Sequence, residues 1–109
     1  MTSLGKPGGR TWRANLGSIL RRIVPRLSTF YGIVIRMYHA DHGPAHFHAR
    51  YGGAKARIAI RDGRLLDGQL PPSALRLVRK WARLHRPELQ AAWKLALAHR
   101  MPNAIAPLE

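Results

Sequence analysis

A chain of 109 residues that carries nineteen Lys and Arg against five Asp and Glu, a net charge of +14, has room for one domain with a core near the lower practical limit for folding unaided. A hydrophobic share of 46% excludes wholesale disorder, and the absence of cysteine excludes a disulfide framework and leaves any zinc site to His and Asp. No apolar run approaches the roughly 18 residues of a membrane span, and no apolar leader with a small-residue cleavage site opens the chain, so a cytoplasmic location is expected.

In chain order, residues 1–26 hold six basic residues and no acidic one, and read as a basic N-terminal extension to a domain over 27–109. Trp12, Leu16, Ile19, Leu20 and Ile23 fall at helical spacing, which suits a short amphipathic helix ending before Pro25. Tyr31 to Tyr38, rich in β-branched and aromatic residues, predicts a first strand. Residues 39–44 form a loop around Gly43-Pro44.

Runs 45–51 and 54–61 flank Gly52-Gly53, a two-residue hairpin signal. That turn sets the register. Phe47 faces Ile58, Ala49 faces Ala56 and Tyr51 faces Ala54 on an apolar side, while His46 faces Ala59, His48 faces Arg57 and Arg50 faces Lys55 on the other. Like charges directly opposite one another destabilise a sheet, so the second side hints at an anionic ligand; stems splayed into water are the plain alternative. Asp62-Gly63 makes a second turn, and the chain returns through Leu65 and Leu66 to about Leu70.

Pro71-Pro72 opens a helix with Leu75, Val78, Ala82, Leu77, Trp81 and Leu84 as its apolar face and Arg76, Arg79, Lys80 and Arg83 along the other. The basic stripe lacks the interleaved Glu that would neutralise it. Pro87, followed by Glu88, suits the first turn of a second helix to about Arg100, with Leu89, Ala92, Trp93 and Ala96 inward. Trp81 and Trp93 read as core anchors. The expected fold is α+β: a small antiparallel sheet of three or four strands with two C-terminal helices packed on its apolar face.

Four of the six histidines, His39, His42, His46 and His48, fall within ten positions. A metal reading uses His42, His46 and His48, with His39 or Asp41 as further ligands and an open water position. Two-metal nuclease chemistry is disfavoured, because only Asp41, Asp62 and Asp67 lie in this region, and no Cys or nearby Ser serves as nucleophile. Metal-free RNA cleavage fits the residue types better: His48 beside Arg57 has a lowered pKa and acts as base, His46 acts as acid, and Arg50 and Arg57 stabilise the phosphorane. Lys55, Arg61, Arg76, Arg79, Lys80 and Arg83 are the candidate phosphate contacts. No cofactor is called for. The alternative is a structural loop packed against Trp81 or His85.

The charge favours a polyanion, with nucleic acid ahead of an acidic protein and an anionic membrane surface last. A solvated basic surface is the alternative without function.

The stretches "PRLSTFYGIVIRMY", "DHGPAHFHARYGG", "DGQLPPSALRLVRKWARLHRPEL" and "IAPLE" resemble the domain of unknown function 4160 family, from about residue 25 to the C-terminus. The resemblance implies a small prokaryotic protein encoded beside a partner of the domain of unknown function 2442 family, some members of which are similar to helix-turn-helix antitoxins. It thereby implies a toxin-like component of a toxin–antitoxin module that binds or cleaves RNA; a non-enzymatic module for an acidic protein partner or nucleic acid is the alternative. No catalytic residues come with it. Similar chains carry acidic residues where this one has Arg79, Lys80 and Arg83. They also begin near Pro25-Arg26-Leu27-Ser28, which marks Val24 as an alternative start that would lower the net charge to about +9.

Overall fold

The computed structural model describes residues 26–39 and 41–109; the expected N-terminal helix lies outside them. The described chain folds as α+β, five strands followed by two helices: β1 (Ser28–Phe30), β2 (Ile33–Arg36), β3 (His46–Tyr51), β4 (Ala54–Ala59), β5 (Leu65–Gly68), α1 (Pro72–Leu84) and α2 (Arg86–Leu97). The strands make one antiparallel meander in the order β1-β2-β3-β4-β5.

Five strands replace the expected three or four, and the reason lies at Tyr31-Gly32. Both residues have positive φ, 50° and 79°. Such a pair forms a tight hairpin turn whose twist matches the flanking strands. The run read as one strand from Tyr31 therefore begins at Ile33, and Ser28–Phe30 folds back on it with Thr29 opposite Val34.

The β3–β4 register is the one the Gly52-Gly53 turn dictates, from His46 opposite Ala59 to Tyr51 opposite Ala54. Beyond it the register shifts between Arg57 and Ile58 as β5 pairs with β4. Gly68 makes that pairing possible. Its φ is 75°, and a Cβ there would lie 2.2 Å from the Lys55 carbonyl oxygen, a separation no side chain tolerates.

The apolar sheet face, carrying Phe30, Ile33, Ile35, Phe47, Ala49 and Ile58, packs against Val78, Trp81 and Ala82 of α1 and Leu89, Ala92 and Ala96 of α2 in one core. Trp81 is fully buried between Phe30 and Phe47, with ring centroids 5.4 and 5.8 Å away. Its indole N–H donates to the Ala106 carbonyl at 2.8 Å, and the Ile105 amide donates to Leu27 at 2.7 Å, so the irregular tail is bound to both the core tryptophan and the chain entering β1.

Two helix details differ from the sequence reading. Leu84 is 62% exposed. The buried stripe of α1 centres on Ala74, Val78 and Trp81, and Leu84 lies about a quarter-turn or more to its side. The second helix starts at Arg86 and ends at Leu97, short of Arg100, where His99 adopts a φ of 59°. Among the described residues, no helix is long and apolar enough to cross a membrane.

Candidate functional site

The face of the sheet turned away from the Trp81 core follows from strand alternation. Arg36 stands opposite His48, and His48 opposite Arg57; one step along, Val34 stands opposite Arg50, and Arg50 opposite Lys55. Four cations, Arg36, Arg50, Lys55 and Arg57, thus share one surface with His48 in their midst. Among the described residues only Arg57 of these four meets an acid, Asp67 at 3.5 Å. Arg50 leans on the turn by donating from Nε to the Gly52 carbonyl at 3.3 Å.

A groove of about 420 Å³ crosses this face, lined by Tyr38, His48, Lys55, Ala56, Arg57, Asp67 and Gly68. The Tyr38 ring stands edge-on to His48 with centroids 4.5 Å apart. Like charges are tolerated here because the guanidinium and ammonium heads reach solvent, which screens them while their stems cover the sheet.

At the start of β3 the alternation fails. His46 has the parity of the open face but is 0% exposed, because Trp93 of α2 packs on its ring with centroids 5.2 Å apart. This corrects the reading of His46 as a surface acid. An imidazole enclosed by a tryptophan from the helical layer cannot reach a phosphodiester on the solvent face. Trp93 itself is only partly buried and packs at the edge of the core.

The buried ring has two close partners. Its Nδ1 lies 2.8 Å from the Pro44 carbonyl and its Nε2 lies 3.0 Å from Asp41 Oδ2. The same carboxylate oxygen lies 3.1 Å from Nε2 of His48. Asp41 is held in place because its other oxygen accepts the His42 amide at 3.0 Å, across a loop that turns at Gly43, where φ is 85°.

Asp41, His46 and His48 therefore converge, with donor atoms all within 4.8 Å of one another. His42, named in the metal reading, contributes only its backbone amide to this group; its side chain is solvent-exposed. His39 also lies apart, its ring facing His99 at 6.0 Å. Asp41 was only a supplementary ligand in the sequence reading. Its signal was present all the same: it is the sole acidic residue in the first 61, and it is set among four histidines.

The electrostatics follow from these contacts. Burial pushes the Asp41 carboxyl up, but the hydrogen bond from His48, the His42 amide and the neighbouring His46 outweigh it and hold the group below its ordinary value. Burial pushes His48 down, and the Asp41 hydrogen bond does not offset it; the charges of His46 and Arg57 act in the same direction as burial. The lowered pKa of His48 agrees with the sequence reading, although its main cause is burial and Arg57 contributes least.

The remaining predicted cations divide between two surfaces. Lys55 lies on the open sheet face, and Arg61 is exposed where β4 leads into the Asp62-Gly63 turn. Arg76, Arg79, Lys80 and Arg83 project from the outer side of α1, across the core from the groove. Arg79 is engaged there, donating from Nε to the Gly63 carbonyl at 2.8 Å. Tyr38, which lines the groove, and Arg36, which lines an adjoining hollow with Tyr38 and His48, were absent from the sequence-based site. Their alternation with Ile35 and Met37 was the available clue.

A family model described as a domain of unknown function (DUF4160) matches residues 32–94, from the first turn through most of α2. The chain belongs to that family. The match contains Asp41, His46, His48 and all four cations of the open face. No curated protein and no solved structure matches the chain.

Proposed function

We propose that this protein binds RNA along the open face of its sheet, as the toxin-like member of a two-protein module. The observation that carries the binding reading is the row Arg36–His48–Arg57 beside Arg50–Lys55, four cations on adjacent strands, with Asp67 beside Arg57 and Asp41 beside His48. Neighbouring antiparallel strands lie about 5 Å apart, so the rows offer a staggered set of positive charges to successive phosphates of a flexible strand. Tyr38 and His48 add ring surfaces within the groove on which an unpaired base can stack.

Binding fits better than cleavage. Transesterification by two imidazoles needs both at the scissile phosphate, and His46 is enclosed beneath Trp93. His48 alone, with Nε2 turned to Asp41, supplies one proton-transfer group. The module reading rests on the family resemblance, and induced expression with and without the neighbouring gene, scored by growth and bulk RNA integrity, addresses it. The binding reading is tested by fluorescence anisotropy of a labelled single-stranded RNA with the full chain. Lys55→Glu in the groove should weaken binding severalfold; unchanged affinity would overturn the assignment of this face.

A further inference from the structure

We infer that Asp41, His46 and His48 form a binding site for a divalent transition-metal ion of the zinc class. The decisive group is the buried ring of His46. The Pro44 carbonyl, 2.8 Å from Nδ1, can only accept a hydrogen bond, so Nδ1 carries the proton. A neutral imidazole has one N–H, which leaves the Nε2 lone pair directed at the Asp41 carboxylate 3.0 Å away. Two electron-rich atoms at that distance, one of them fully enclosed, require a positive centre between them.

A second ring proton is one such centre, but it places a full charge in the interior, beside a carboxylate oxygen that already accepts from His48 at 3.1 Å. A metal ion spreads its charge over all three groups at once. The surroundings are those a metal site needs. The Pro44 carbonyl fixes the tautomer and orientation of His46, and the His42 amide, donating to Oδ1 at 3.0 Å, holds the carboxylate with Oδ2 turned toward both imidazoles.

The donor set names the metal class. Two imidazoles and one carboxylate suit zinc and its first-row neighbours, whereas magnesium and calcium prefer oxygen cages. At zinc–ligand distances of about 2.0–2.1 Å, neighbouring ligands of a tetrahedral site stand roughly 3.4 Å apart. The two contacts to Oδ2 need to lengthen slightly, and the partly buried His48 ring needs to carry its proton on Nδ1 and swing toward His46. The side chains of Asp41 and His48 are 25% and 27% exposed, so the fourth position opens to solvent at the edge of the groove.

Isothermal titration calorimetry of the full, tag-free chain, stripped with a chelator and titrated with zinc chloride, tests this. One ion per chain is expected, with release of protons, and magnesium at the same concentrations should give no heat. Asp41→Ala and His48→Ala each should weaken zinc binding roughly tenfold or more while circular dichroism shows the fold intact, and His42→Ala should leave it unchanged. Because His46 is buried, His46→Ala serves only alongside these variants. Cobalt(II) gives an independent readout: visible d–d bands that vanish in His48→Ala. No stoichiometric zinc binding, or binding that survives both Asp41→Ala and His48→Ala, overturns the site.

Discussion

His48 Nε2 lies 3.1 Å from Asp41 Oδ2, a contact that ties the loop before β3 to the middle strand of the sheet. Both groups have lowered pKa values, and both shifts bear on acid stability with the same sign. For His48 the folded value lies below the ordinary 6.5, so the unfolded chain takes up its proton first as the pH falls. Its contribution is fully present above about 6.5 and is lost below that, through the folded pKa. Asp41 acts in a separate, lower window, below 3.8. Urea midpoints of chelator-stripped protein should therefore decline as pH drops from 7 toward 5, and His48→Gln should flatten that decline. A decline of the same size in His48→Gln would assign it elsewhere.

Gly68→Ala should destabilise the domain by about 2 kcal/mol or more, because it combines a positive φ with a clash against the Lys55 carbonyl. The groove should suffer too, since Gly68 lines it beside Lys55 and Arg57. Gly53 is the control: its φ lies outside the left-handed region, and a Cβ added there would meet nothing within 4 Å. Gly53→Ala should shift the melting temperature little.

Trp81→Phe keeps most of the apolar bulk but removes the 2.8 Å hydrogen bond to Ala106. A loss of about 1–3 kcal/mol is expected, with faster hydrogen exchange at Ile105, whose amide is bonded to Leu27. Trp81→Ala should cost about 3–5 kcal/mol, enough to unfold much of a domain this small. Protection at Ile105 that is untouched by Trp81→Phe would show that the tail is held without the indole.

What could be read from the residues depended on how local its cause was. The Gly52-Gly53 turn determines every pair of β3 and β4, so that register was legible. Tyr31-Gly32 was not, because an aromatic residue ordinarily signals a strand, and only the structure shows Tyr31 in the left-handed region. The burial of His46 was hidden for a different reason. Alternation is a rule about one strand, whereas the cover comes from Trp93 in the last helix. Asp41 was visible as a lone acid among histidines, but its convergence on both rings depends on how the Gly43-Pro44 loop folds back.

The separation of basic surfaces also yields an expectation. The helix stripe lies across the core from the groove, so Arg76→Ala with Arg83→Ala should leave RNA affinity within about twofold if the open sheet face is the site. A loss equal to that from the sheet variants would indicate diffuse attraction by net charge.

The most direct measurement is the salt dependence of RNA affinity, for the full chain and for Arg50→Ala/Arg57→Ala. With three or four phosphates contacted by Arg36, Arg50, Lys55 and Arg57, affinity for a single strand should fall roughly twenty- to fiftyfold between about 50 and 200 mM salt. The double variant should bind more weakly at every salt concentration, and the magnitude of its log–log slope should be smaller by about 1.4. Binding indifferent to salt, or a slope unchanged by losing both arginines, would contradict an RNA site on the open face of the sheet.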